Sequence, residues 1–157
     1  MNVLGLRAGH SETPLTKAGK NQAMRAGKIA KKLAIDCIVC SPLERTQQTA
    51  RIIAKQIGYD TNNILTNQLL IERYFGSLEG QPWDPFKDIE SQHDIEQVDD
   101  LLKRANRVLD WLKTIDASNI LVVSHGAFGR ALRSLLIADI PFDSPVQIPN
   151  AQIVRWL

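Results

Sequence analysis

The sequence predicts an α/β protein, a three-layer α/β/α sandwich built on a mostly parallel sheet. Short apolar runs, such as IVC at 38–40 and ILVV at 120–123, alternate with longer stretches of helical periodicity. Alternation of this kind places helices on both faces of parallel strands. The length of 157 residues suits one domain, 1–157, which at this size buries roughly 70% of the surface its unfolded chain exposes.

Taken in chain order, the first expected strand is 2–7, where Val3 to Leu6 form a short buried run closed by Arg7. A helix over 14–34 follows, with Pro14 in its first turn and apolar positions at Ala23, Ala26, Ile29, Ala30 and Leu33. A strand over 36–40 leads into a helix over 42–57, with Pro42 in its first turn and Gly58 just beyond its end. Helix 94–115, strand 120–124, helix 126–137 and strand 151–156 complete the pattern. In open parallel sheets, ligands gather at the carboxyl ends of the strands. Arg7, Ser41 and His125 each stand at or just after such an end, so the fold rule predicts that all three share one edge.

Composition excludes several functions. Lys and Arg number 19 against 17 Asp and Glu, so no global field draws nucleic acid or an anionic membrane. The N-terminus has no secretory pattern and no run approaches the ~18 apolar residues of a membrane span, which makes the cytoplasm the expected location. Cys37 and Cys40 have C-x-x-C spacing, but residues three apart in a strand face opposite ways, so neither a redox pair nor a zinc site is expected. His10, His93 and His125 are isolated from one another, and no metal or cofactor is expected.

Residues 84–100 hold seven acids and one lysine. They read as a solvated loop leading into a helix whose first turn welcomes negative charge. If the segment instead covered a site, its charge would disfavour highly anionic substrates.

Four segments carry the chemistry: LGLRAGHSETPLT at 4–16, SPLERTQQTA at 41–50, LLIERYFGSLEG at 69–80 and VVSHGAFGRAL at 122–132. In this order and spacing the chain resembles the histidine phosphatase superfamily, in its phosphoglycerate-mutase-like branch. The resemblance runs from Leu4 to the last strand. It implies that Arg7, Arg45 and His125 surround a phosphoryl group, with Ser11 or Thr13 adding a hydroxyl. Arginine forks suit that task because they contact phosphate oxygens bidentately. Glu72 matches the family's glutamate. A carboxyl beside a phosphate dianion is driven toward its protonated form and can give that proton to the leaving oxygen. In this family the segment at 84–100 hangs over the active site, so it is also a candidate lid.

The family nucleophile is a histidine between arginine and glycine, where this chain has Arg7-Ala8-Gly9. A methyl group cannot attack phosphorus. Three readings are open: a substitution that silences an enzyme, a natural binding module that keeps the phosphate pocket, or a shifted register in which His10 attacks. The loop before Pro14 is also short, and the asparagine that many members add to the phosphate has no counterpart. The resemblance implies a small phosphorylated substrate or a phosphohistidine protein as partner, and leaves the oligomeric state open. The shortness of 81–100 favours a phosphatase over a phosphoglycerate mutase, whose added segments keep water out.

Overall fold

The structure is a computed structural model and describes residues 5–82, 84 and 92–156. Its helices are α1 (Lys17–Ala30), α2 (Glu44–Ile57), α3 (Val98–Leu112) and α4 (Gly126–Leu136), and its strands are β1 (Cys37–Cys40), β2 (Leu65–Thr66) and β3 (Ile120–Val123). The three strands are parallel in the order β2-β1-β3. Cys37 pairs with Ile120 and Cys40 with Val123, so β1 and β3 end level with each other.

The alternation of β1 sorts its side chains into two cores. Ile38 and Cys40 pack with Ala26 and Ala30 of α1 and with Ala50, Ile53 and Ala54 of α2. Cys37 and Val39 pack with Leu101, Ala105 and Val108 of α3 and with Phe128, Ala131 and Leu132 of α4. Both faces are covered, giving three layers as expected. The two cysteines lie in opposite cores as free, buried thiols.

The element ends differ from expectation for local reasons. Thr16 caps α1 by accepting the amide of Gly19, so Pro14 precedes the helix rather than opening it. Pro42 likewise stands before Leu43, the residue that caps α2. The buried face of α1 is Ala23, Ala26, Gly27 and Ala30, a small-residue surface that lets α2 approach closely. A Cβ on Gly27 would lie 3.1 Å from Gln56. Ile29 and Leu33, expected on that face, are instead 52% and 39% exposed. Gly58 ends α2 at φ 76°, a left-handed conformation natural to glycine. Helix α3 starts at Val98 rather than 94, with Asp99 and Asp100 in its first turn.

Two expected strands are not found among the described residues. Residues 151–156 carry no strand, although Ile153 and Trp156 pack against the two cores. Of the strand expected at 2–7, residues 2–4 lie outside the described residues. Leu6 makes only an isolated antiparallel bridge with Pro82. Arg7 runs beside the segment 80–82, its amide donating to the Gln81 carbonyl and its carbonyl accepting from the Gly80 amide. Residues 85–91 of the candidate lid also lie outside the described residues.

Candidate active site

Parallel strands of matched length bring the residues just beyond them together. Ser41, fully buried after β1, donates its amide to the carbonyl of Val123, the last residue of β3. Two residues on, His125 reaches back, and its Nε2 lies 2.7 Å from Ser41 Oγ. Arg45, in the first turn of α2, points to the same place and donates its Nε to His125 Nδ1 at 3.2 Å.

These partners fix the histidine tautomer. A guanidinium only donates, so Nδ1 is the acceptor and the proton sits on Nε2, directed at Ser41. Burial pushes the His125 imidazole down to about 2, with the charges of Arg45, His10 and Arg104 acting in the same direction. It is a neutral imidazole across the physiological range. Burial also pulls Arg45 below its ordinary value, while Glu72, Glu12 and Glu79 act against it. A side chain poised between those influences suits an anion.

The other nitrogens of Arg45 are engaged by the loop at 8–13. Nη1 donates to the Ser11 carbonyl at 2.9 Å and Nη2 to the Gly9 carbonyl at 2.7 Å. The loop is itself held by Glu79, whose carboxylate accepts the His10 amide at 2.8 Å, the Ser11 hydroxyl at 2.9 Å and the Phe75 amide at 3.3 Å. Gly9 adopts φ 48°, and a Cβ there would overlap the Glu79 carboxylate. Glycine is thus required by both conformation and space. Ala8, half-buried, accepts the Ser11 amide through its carbonyl at 2.8 Å.

Glu72 approaches from the segment after β2 and meets the start of α4. Its Oε1 accepts the amides of Arg73 and Phe128 at 2.9 and 3.0 Å, and its Oε2 accepts that of Ala127 at 3.2 Å. Ala127 and Phe128 lie in the first turn of α4, where backbone amides have no partner within the helix. His125 is the residue that precedes α4, so Glu72 and His125 share one helix start. Arg104 fixes the segment behind Glu72. It donates Nη1 to the carbonyls of Leu69 and Ile71 at 2.8 and 2.7 Å, and Nη2 to that of Glu72 at 3.3 Å. Glu96 holds it from the far side through Nε and Nη2 at 2.8 and 2.7 Å.

The structure thus gathers Arg45, His125, Ser41 and Glu72. It does not gather two other expected groups. The Arg7 guanidinium, buried, is directed to the carbonyls of Pro82 and Asp84 at 3.0 and 3.2 Å. The Ser11 hydroxyl, expected on the phosphate, is turned to Glu79, and only the Ser11 carbonyl meets Arg45. His10 donates its Nε2 to the Glu72 carbonyl at 2.8 Å and packs its ring on Tyr74 at 5.0 Å. Glu79 and Arg104 escaped the sequence reading. Glu79 stood within a recognised segment, but its partners lie about 70 residues away, which no local pattern signals. Among the described residues, no group of three or more His, Cys, Asp or Glu could hold a metal ion. No helix among them is long and apolar enough to cross a membrane.

Known proteins resemble this chain in sequence and fold. The sequence model of the histidine phosphatase superfamily (branch 1) matches residues 1–156. The chain is 34% identical over 163 residues to the "Probable phosphoglycerate mutase GpmB" of Enterobacter sp. (strain 638), covering 94% of this chain and 74% of that protein. It is 36% identical over 137 residues to agropine synthesis reductase of Rhizobium rhizogenes, covering 87% of this chain and 30% of that one. Among solved structures, the α-ribazole phosphatase of Shigella flexneri matches with a TM-score of 0.79 at 27% identity, covering 96% of this chain and 81% of that one.

Proposed function

Because this chain belongs to the histidine phosphatase superfamily, branch 1, we propose that its pocket holds the phosphoryl group of a phosphomonoester or phosphohistidine. Hydrolysis through a phosphohistidine intermediate is the chemistry the site is shaped for. One observation carries this reading: Arg45, His125 and Ser41 form a continuous hydrogen-bonded row at the strand ends, with the Glu72 carboxylate beside it.

The roles follow from the contacts. Arg45 now donates to two neutral carbonyls and an imidazole. Phosphate oxygens are charged and stronger acceptors, so an entering anion takes the guanidinium from them. His125 loses its Arg45 donor in that exchange and takes a proton on Nδ1, which then donates to the anion while Nε2 stays on Ser41. Glu72 supplies the proton for the leaving oxygen. The nucleophile belongs at position 8, where Ala8 offers only a methyl group, so this chain binds phosphate esters without turning them over. Water rather than a second hydroxyl is the proposed acceptor, since the segment 81–100 is short for enclosing a mutase intermediate. The same proposal places the protein in the cytoplasm, where the free thiols of Cys37 and Cys40 suit a reducing setting.

A second reading, a natural module that recognises phosphorylated ligands, is favoured by one specific observation. Both ring nitrogens of His125 are engaged by the protein and position 8 carries only a methyl group, so neither supplies a nucleophile to the pocket. Installing the histidine separates the two. Ala8→His should raise hydrolysis of p-nitrophenyl phosphate by orders of magnitude, each tenfold gain being about 1.4 kcal/mol of barrier. A folded Ala8→His chain that stays inert on phosphomonoesters and phosphohistidine peptides removes position 8 as the nucleophile site and leaves the binding module. Hydrolysis already present in the Ala8 chain and lost in His10→Ala would assign the attack to His10.

A further inference from the structure

The near balance of charge over the whole chain hides a local imbalance. Six of the 19 basic residues, Lys17, Lys20, Arg25, Lys28, Lys31 and Lys32, lie within 17–32, where there is no acid. The rest of the chain then has 13 basic residues against 17 acids. All six are exposed, and among the described residues none of their side chains has a hydrogen bond or ion pair. On the same side of the sheet α2 exposes Arg51 and Lys55, and Glu44 is its only acid.

This arrangement works against the helix that carries it. The first four residues of α1 include Lys17 and Lys20 and no acid, so cations stand at the positive end of the helix dipole. Lys17 and Lys20, Arg25 and Lys28, and Lys28 and Lys32 are like charges three or four residues apart, each pair mildly destabilising. Helix α3 of the same chain follows the opposite rule. Asp99 and Asp100 fill its first turn, and Lys103 and Lys113 pair with Asp100 and Asp110 at 2.8 and 3.0 Å. A helix that departs from a rule its neighbour obeys marks a place shaped for something other than stability.

Apolar side chains stand among these cations. Met24, Ile29 and Leu33 are 41%, 52% and 39% exposed, because α1 buries Ala23, Ala26, Gly27 and Ala30 instead. Their exposure decides which kind of anion suits the face. A nucleic-acid backbone offers apolar side chains nothing to pack on, and α1 has no aromatic residue on which a base could stack. Five of the six cations are lysines, whose flexible stems lack the rigid fork that matches fixed carboxylates on a protein partner. A bilayer surface is flat and its charged headgroups rearrange. It accepts short apolar side chains at the acyl boundary while lysine stems hold their ammonium groups at headgroup level.

We propose that the outer face of α1 docks on an anionic lipid surface, its six cations among the headgroups and Met24, Ile29 and Leu33 entering the interface. The helix, about 21 Å long, lies along the membrane and does not cross it, while its alanine face stays packed in the domain. About four to eight Lys or Arg on one amphipathic helix is the cluster size that holds anionic lipid. This inference is independent of the phosphate pocket.

Sedimentation of the unmutated chain with lipid vesicles tests it. The chain should bind vesicles of phosphatidylcholine containing about 30% phosphatidylglycerol at least about tenfold more tightly than vesicles of phosphatidylcholine alone. That binding should be lost at about 0.5 M salt, where screening shortens to a few ångströms. Lys17→Glu combined with Lys20→Glu should weaken it by about tenfold or more and raise the denaturation midpoint, so that a lost fold does not explain the loss. Lys103→Glu combined with Lys113→Glu on α3 makes the same change in net charge and should leave binding within about twofold. Ile29→Ser combined with Leu33→Ser should weaken binding severalfold at unchanged charge. Arg45→Gln should bind vesicles as the unmutated chain does. No binding to the anionic vesicles, equal binding to neutral ones, or equal losses in the α1 and α3 pairs overturns the proposal. Binding unchanged in the serine variant overturns it too, because the face would then serve any polyanion. Binding lost in Arg45→Gln would place a headgroup in the phosphate pocket, and it also overturns docking through α1.

Discussion

Glu72 Oε1 accepts the amide of Phe128 at 3.0 Å, so the carboxyl proposed to protonate the leaving group also satisfies the first turn of α4. The two duties separate experimentally. Glu72→Gln keeps the shape but removes the charge at the helix start and should cost about 1 kcal/mol of stability, read by chemical denaturation. In an active Ala8→His background the same change should hurt alkyl phosphates far more than p-nitrophenyl phosphate, whose phenolate leaves with little help. Equal losses on both would leave Glu72 a structural role only.

The buried imidazole of His125 makes a pH prediction. Unfolded, it takes a proton near 6.5, whereas the folded protein holds it neutral down to about 2. Its contribution to stability is therefore complete above pH 6.5 and declines as pH falls toward 2. One proton corresponds to about 1.4 kcal/mol per pH unit, so acidification from pH 7.5 to 5 should cost about 2 kcal/mol through this residue. His125→Asn should flatten that part of the profile in parallel denaturation series. An unchanged slope would mean that His125 is not the group responsible.

At the loop, Gly9 and Glu79 are sterically coupled. Gly9→Ala forces φ 48° on alanine and sets its Cβ into the Glu79 carboxylate, for a cost of about 1–3 kcal/mol. Glu79→Ala removes an acceptor from three donors of the loop and its neighbour. In the double variant the clash is gone, so the combined loss should fall below the sum of the single losses. Simple additivity in a double-mutant cycle would contradict the contact.

Arg104 and Glu96 form a mostly buried pair, with side chains 13% and 17% exposed. Arg104→Ala strands the Glu96 carboxylate and releases the carbonyls of Leu69, Ile71 and Glu72. The expected cost is about 3 kcal/mol or more, accompanied by weaker phosphate binding because Glu72 loses its support. A stability change within a few tenths of a kcal/mol would show that the segment is held by other contacts.

The layers and half of the site could be read from the sequence because their signals are local. Helices α2 and α4 repeat at helical spacing over long runs, and the parallel pairing of β1 and β3 makes Ser41 and His125 neighbours without further information. Strand β2 spans two exposed residues, too few to show an alternation. The reading failed where side-chain direction depends on distant partners. Arg7 looked like a phosphate ligand by motif, yet its guanidinium meets carbonyls more than 70 positions away. Ser11 turned to Glu79 for the same kind of reason. Ile29 and Leu33 were misplaced because α1 meets α2 through glycine and alanines, and hydrophobicity alone ranks larger side chains higher. The expected strand at 151–156 contains the apolar pair Ile153-Val154 and Trp156, but in the described structure Ile153 and Trp156 pack partly buried against the two cores without joining the sheet.

The most direct test is calorimetric titration of the unmutated chain with inorganic phosphate, repeated with Arg45→Gln and with His125→Gln. The account predicts saturable one-site binding that weakens by about tenfold or more in each variant, since each removes a charge-assisted hydrogen bond whose loss is worth about 1.5 kcal/mol or more. The unmutated chain should also take up a proton as the anion binds, seen as a heat that changes with the ionisation enthalpy of the buffer. Phosphate binding of equal strength in all three proteins would contradict the account, because the anion would then lie somewhere other than against Arg45 and His125.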